Sequence, residues 1–301
     1  IVGGPFYEDP SQALRCLILF SIVKMFRCPV VVYGATAFYF RTWWGRLLFR
    51  AMFNRMDAIT VREKIALNII KDLGIKKDVA LFADPRFILE PASSEEVQSI
   101  LTEEGINLEE PLIGVTTRFL HHNVPAWVKR SHYYTDERVE NANEVIARVV
   151  AYLSEFAQVI IIPMHPSYDE DKEMANVIKK YIQVPSRLKM LSRRYSALEM
   201  MGMISQCELL LAGRLGSAVF ATVTGTPIVA IAHEPRMVDH MERVGLGNYV
   251  FDWKDLRYDD TVAKVKEVWL SRDTIKDQMK SKVKEFKEIA WKNAEIIKEF
   301  M

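Results

Sequence analysis

Glu208-Leu209-Leu210-Leu211-Ala212-Gly213-Arg214-Leu215-Gly216-Ser217-Ala218-Val219-Phe220-Ala221 runs on into Thr222-Val223-Thr224-Gly225-Thr226-Pro227-Ile228-Val229-Ala230-Ile231. The order is apolar strand, glycine-bearing loop, helix from Gly216 to Val223, turn, apolar strand. Both strands are continuous apolar runs, as expected of parallel strands buried on both faces. The carboxyl end of such a strand opens onto the usual ligand crevice of an α/β sheet. Gly216 and Ser217 would start the helix there, with free backbone N–H groups that favour an anion. Arg214 adds a fixed cation whose donor fork suits a carboxylate or phosphate. The plainer reading, that Gly213 is only a turn and Arg214 a surface charge, stands evenly beside it.

The same alternation extends outward. Strands are expected at Leu112–Thr117, Val159–Pro163 and Leu188–Leu191, and helices at Glu137–Phe156 and Asp171–Tyr181. Ser196-Ala197-Leu198-Glu199 is a capping box that opens a helix to Gln206. Toward the N-terminus, Val30–Gly34 reads as a strand ending in a turn, Thr42–Phe53 as a helix and Val79–Phe82 as a strand. Thr60-Val61-Arg62-Glu63 reads as another capping box, and its helix stops at Gly74. That places Arg62 in a first helical turn, where the macrodipole disfavours a cation. Either an anchoring role or a structural ion pair would explain it. The acidic stretch Glu90–Pro111 is the candidate linker. Helices fill Thr261–Met301 on an amphipathic pattern. The expected fold is α/β, with two Rossmann-like domains facing a cleft. The domains span 1–95 (N-terminal, incomplete) and 96–260, and helices at 261–301 pack back on them. Ile1-Val2 reads as the end of a buried strand whose domain begins earlier.

Composition narrows the function classes. Of 301 residues half are apolar, and the net charge is +1. Neither a nucleic-acid binder nor a disordered chain matches that balance. Cys16, Cys28 and Cys207 form no disulfide framework and no zinc pattern. Their apolar surroundings suggest buried thiols, consistent with a reducing, cytoplasmic compartment. Lys24, Arg27 and Pro29 interrupt the apolar run from Cys16 to Phe40, so no spanning helix is expected. Asp169-Glu170-Asp171 reads as a helix start rather than a magnesium site, and no metal is expected.

Gly213-Arg214-Leu215-x-Ser217-Ala218 resembles the G-R-L-H-S/A segment of polysaccharide pyruvyl transferases. Further segments agree in order: Ile1-Val2-Gly3-Gly4 with a glycine-rich strand end, and Val61-Arg62-Glu63, Leu73-Gly74 and Asp84-Pro85 with a V-R-E/D … L-G … D-P run. Gly225-Thr226-Pro227 resembles the G-x-P turn, and His233-Glu234-Pro235-Arg236 the Y-D-P-K segment. The resemblance implies a fold similar to B-type glycosyltransferases. It also implies transfer of the enolpyruvyl unit of phosphoenolpyruvate to a sugar: a pyruvate ketal bridges two hydroxyls and phosphate leaves. No cofactor is implied beyond that donor. By the resemblance Arg214 and Arg118 hold the donor, with Leu215, Gly216 and Ser217 in the same loop and Arg236 in place of the family lysine.

Gly216 stands where the family has histidine, which removes an imidazole able to bind phosphate or carry a proton. His165 and His233, each after a strand of the second sheet, are the candidate replacements, and Glu234 a candidate proton donor. The acceptor is expected to be a glycan or a lipid-linked sugar. Trp43, Trp44, Arg46 and Arg50 in Phe38–Met56 would suit a peripheral membrane contact at the inner face. A core helix with snorkelling arginines is the simpler reading. Two rival functions remain: a nucleotide-sugar glycosyltransferase, and a non-catalytic glycan- or anion-binding homologue.

Overall fold

A computed structural model describes residues 5–6, 10–40, 42–120, 134–164 and 169–300. The chain divides into two compact units: Ile1–Ile88 with Lys284–Met301, and Leu89–Val283. The divisions therefore fall at 88/89 and 283/284, whereas the sequence pattern placed them at 95/96 and 260/261.

The first unit holds a parallel sheet in the order β1 (Pro5–Phe6), β2 (Val31–Ala37), β3 (Ala58–Val61), β4 (Val79–Leu81). Helices α1 (Pro10–Met25), α2 (Trp43–Phe53) and α3 (Lys64–Lys71) connect the strands. Phe6, Phe49 and Phe53 meet edge-on or tilted in its core, with Phe6 and Phe53 centroids 5.2 Å apart. Gly34 does not end β2 in a turn, as the sequence suggested. It takes φ +52 inside the strand, at a register shift between Val32 and Ala35. A Cβ there would lie 2.6 Å from Pro85 Cγ, so the bulge needs glycine.

Thr60 corrects another expectation. It lies in β3, and α3 begins only at Lys64, behind Glu63 in extended conformation with no side-chain cap. The Thr60 hydroxyl accepts from the Gly34 amide at 2.7 Å and donates to Asn293 Oδ1 at 2.7 Å. Asn293 Nδ2 in turn donates to the Ala83 carbonyl. Arg62 therefore sits before the helix, not in its first turn, and pairs with Glu63 (3.0 Å) and Asp84 (3.4 Å). Of the three cysteines only Cys207 is buried; Cys16 is half-buried and Cys28 exposed.

The second unit opens with α4 (Ser94–Glu103), capped by Ser93. The stretch expected to be a linker is thus part of this body: Val97 on α4 packs so tightly on Gly202 that a Cβ there would lie 2.5 Å away. The six-stranded sheet uses β5 (Leu112–Thr116), β6 (Gln158–Ile161), β7 (Leu188–Met190), β8 (Leu209–Ala212), β9 (Ile228–Ala232) and β10 (Val250–Asp252). Its order is β10-β9-β8-β5-β6-β7, and all pairs are parallel. The helices are α5 (Asp136–Ser154), α6 (Asp169–Lys179), α7 (Ala197–Ser205), α8 (Leu215–Thr224), α9 (Pro235–Arg243) and α10 (Tyr258–Leu270). The Ser196–Glu199 capping box is present at α7. The last helix, α11 (Arg272–Lys298), belongs to the second unit up to Val283 and to the first from Lys284.

The Asp84-Pro85 turn of the first unit carries its densest charge cluster. Asp84 accepts from the Arg86 amide (2.9 Å), Nε (2.9 Å) and an Nη (2.7 Å). Burial works against the charge on Asp84, but Arg86 and Arg62 overcome it and hold the carboxyl well below its usual range. Asp84→Asn removes the carboxylate that Arg86 holds bidentately and leaves Arg62 paired with Glu63. A fully buried pair broken this way costs about 3–5 kcal/mol. The Arg86 side chain is 25% exposed, so we expect a loss of roughly 2–3 kcal/mol, read as a lower urea midpoint. The native stabilisation is present above the ordinary carboxylate range and fades as the pH falls below it.

Candidate functional site

Chain order and sheet order disagree at one place in the six-stranded sheet. From β5 the chain steps through β6 and β7 to one edge; β8, β9 and β10 then build the other. The switch point lies between β5 and β8, and crevices at the carboxyl end of such a switch are where α/β sheets hold ligands.

The two loops leaving β5 and β8 are fused there. Gly213 N–H donates to the Thr116 carbonyl at 2.6 Å. A Cβ on Gly213 would lie 2.7 Å from that oxygen and 3.2 Å from the Arg118 nitrogen, all backbone, so only glycine permits the approach. Arg214 Nε donates to the Thr117 carbonyl at 2.9 Å. Ser217 Oγ donates to the Arg214 carbonyl (2.8 Å) and accepts from Thr116 Oγ1 (2.6 Å). Ser217 is fully buried and its amide bonds the same Arg214 carbonyl. Its role here is to pin the loop.

Arg214 caps α8 with an extended backbone. Its guanidinium meets Glu170 at 2.9 Å and the buried Asp171 at 3.6 Å, both in the first turn of α6. Asp171 is anchored by accepting the Met164 amide at 3.0 Å. The Leu215 and Gly216 amides bond no described residue, leaving two of the open donors of a helix N-terminus. Arg118 is exposed, with no hydrogen-bond or ion-pair partner among the described residues.

His233 follows β9, next to β8. Both ring nitrogens are buried and have no hydrogen-bond partner among the described residues, and the ring stacks on Trp253 at 6.4 Å. Burial first, then the charges of Arg118 and Arg214, push its pKa down to about 3. The three groups therefore share one neighbourhood, and the imidazole is neutral at ordinary pH. Thr117 Oγ1 is a further buried polar atom there with no partner among the described residues. Glu234 and Arg236 face each other instead: one Arg236 Nη donates to both Glu234 oxygens at 2.5 and 2.6 Å. His165 lies outside the described residues.

The sheet edge thus unites Arg118, Arg214, Leu215, Gly216 and His233. Ser217 is given to structure, and Glu234 to Arg236. Sequence reasoning took Asp169-Glu170-Asp171 only as a helix start and missed Glu170 and Asp171 as counter-charges of Arg214. Thr117 and Trp253 carried no sequence signal.

Comparison with known proteins agrees with this architecture. The family model "Polysaccharide pyruvyl transferase" matches residues 1–235. The amylovoran biosynthesis protein AmsJ of Erwinia amylovora is 23% identical in an alignment of 288 positions that covers 92% of this chain; the chain spans 66% of that relative's length. Among solved structures, Anabaena Alr3699/HepE in complex with UDP and glucose shares 13% identity at a TM-score of 0.57, covering 95% of this chain and 75% of that one. "Trehalose-6-phosphate from E. coli bound with UDP-2-fluoro glucose" gives 10% and 0.57, covering 96% and 77%. Identities this low bear on the fold alone, which is that of the B-type glycosyltransferases. With the family model matched over most of its length, the chain belongs to the polysaccharide pyruvyl transferase family.

Proposed function

We propose that this chain transfers a pyruvyl group from phosphoenolpyruvate to a glycan hydroxyl pair, forming a ketal. The observation that carries the reading is the switch-point grouping of Arg118, Arg214 and the open α8 amides around a buried neutral imidazole. Phosphoenolpyruvate is a compact anion with a carboxylate and a phosphate. Two arginines and a helix N-terminus complement both groups.

The chemistry needs no redox partner. A proton adds to the methylene carbon of the donor, leaving positive charge at C2. One sugar hydroxyl adds to C2, the C2–O bond to phosphate breaks, and the second hydroxyl closes the ketal. Two hydroxyl protons are lost, one proton is gained by carbon and one by the departing phosphate, so the step balances. Arg118 and Arg214 would stabilise the leaving phosphate. Glu170 now offsets the charge of Arg214, and the incoming anion would take its place. The anion would also offset the two cations that depress His233, making that imidazole a stronger base when the donor is bound.

The first test is calorimetric titration with phosphoenolpyruvate. We expect the unmodified chain to bind, Arg118→Ala to weaken binding about 10–100-fold, as one charged contact would, and its thermal stability to stay unchanged because the side chain is exposed. Arg214→Ala should abolish binding and also lower stability, since Glu170 and Asp171 lose their cation. Binding of UDP-glucose with none of phosphoenolpyruvate would overturn the proposal in favour of a nucleotide-sugar donor.

A second test uses acid. His233 titrates near 3 when folded and near 6.5 when unfolded. The unfolded chain therefore takes up a proton in that window that the folded chain refuses, and stability falls as pH drops from 6.5 toward 3. We expect the urea midpoint of the unmodified chain to decline more steeply from pH 7 to 4 than that of His233→Phe. Parallel slopes would show that the imidazole is not held neutral.

A further inference from the structure

The helix α1 carries large apolar side chains on its outer side as well as its inner one. Ala13 and Phe20 are buried, as a helix packed on a sheet requires. Yet Leu14, Ile18, Leu19, Ile22 and Met25, with Phe26 just beyond, are 47–80% exposed. A surface helix ordinarily turns a polar face outward. The neighbouring α2 continues the pattern: α1 packs on α2, whose Trp43 is 77% and Leu47 59% exposed. Most of the large exposed apolar side chains among the described residues fall in this one stretch of sequence. Exposed apolar groups gathered this way mark an interaction surface.

Charge says what kind of surface fits. Between Asp9 and Asp57 the chain has no acidic residue and seven Lys or Arg, although its overall balance is +1. Arg15, Arg27, Arg46 and Arg50 are exposed beside the apolar groups. On α1 the exposed Arg15 lies next to Leu14 and one turn from Ile18 and Leu19. On α2 Arg46 and Arg50 alternate with Trp43 and Leu47 along the outer face. Two cations are already engaged: Lys24 is held by Asp57 at 2.5 Å, and an Arg46 Nη donates to the Asp72 carbonyl at 2.5 Å. No helix of the described residues is long and apolar enough to cross a membrane. Apolar side chains ringed by arginines, with no acid among them, match a helix lying in the plane of a bilayer whose headgroups are anionic.

We propose that the outer faces of α1 and α2 dock on an anionic lipid surface, with Leu14, Ile18, Leu19, Ile22 and Trp43 entering the headgroup boundary and the arginines contacting lipid phosphates. The inference concerns binding alone and does not rest on the reaction proposed above.

Flotation tests it. The whole chain is mixed with vesicles of phosphatidylcholine alone or with 30% phosphatidylglycerol, and the floated fraction is measured. We expect flotation with the anionic vesicles, at least a tenfold smaller fraction with the neutral ones, and loss of flotation in Ile18→Glu/Trp43→Glu. A matched substitution at an exposed leucine outside the patch, Leu270→Glu, should float like the unmodified chain; it is 81% exposed and lies on α10. Circular dichroism of each variant checks that the helices persist. No flotation with anionic vesicles would overturn the proposal, as would equal loss in Leu270→Glu. So would a dimer, seen by sedimentation, that Trp43→Glu dissolves while vesicle binding is nil, since the face would then be covered by a second copy.

Discussion

The backbone contact between Gly213 and Thr116 is the constraint from which the second unit's candidate site follows. Two strands that are distant in sequence lie side by side there, and their loops leave the sheet within hydrogen-bond reach. Any side chain at 213 would push them apart. Because they stay together, Arg118 and Arg214 leave the carboxyl ends of two adjacent strands, beside the first turn of α8, and both bear on His233. Like-charged guanidinium groups do not gather for their own stability. Glu170 and Asp171 compensate one of them, and Arg118 is left to solvent. Such an arrangement costs stability unless something anionic arrives, which is the usual mark of a binding site.

The same geometry explains the imidazole. A histidine at a strand end commonly bonds a carbonyl or a carboxylate. His233 finds neither among the described residues, and two cations bear on it. Stacking on Trp253 keeps it in place without offering a proton acceptor. Its neutrality is therefore a product of its neighbours, and the neighbours' charge is what a bound anion would change.

Much of this was legible in the chain. The apolar runs at Leu112, Val159, Leu209 and Ile228 could be little other than buried parallel strands, and each forms one. Two instances of one motif show where the legibility ends. Ser196-x-x-Glu199 and Thr60-x-x-Glu63 both match a capping box, yet only the first is one. Ile59, Thr60 and Val61 form a β-branched run that favours a strand, and the Thr60 hydroxyl serves Gly34 and Asn293 instead. Asn293 lies more than two hundred residues away, and no local pattern could announce it. Glu170 and Asp171 were hidden for the same reason. An acidic first turn is a complete local explanation for them, and only the sheet order brings them to Arg214.

Gly216 gives the site its particular character. A histidine there would place a proton-carrying ring at the mouth of the helix terminus, against the anion. Glycine leaves only the amides there, so the loop after β8 offers an anion backbone donors and no proton-carrying ring at that position. The described imidazole nearest this role is on the next strand, after β9, where its ring nitrogens have no hydrogen-bond partner among the described residues. Holding the anion and handling the proton would thus be divided between two adjacent strands. On the proposed reaction that division has a physical use. The group that takes a proton is weakest while the crevice holds only cations, and it strengthens as the donor's negative charge enters. Proton transfer would then be tied to occupancy by electrostatics alone, without requiring either loop to move.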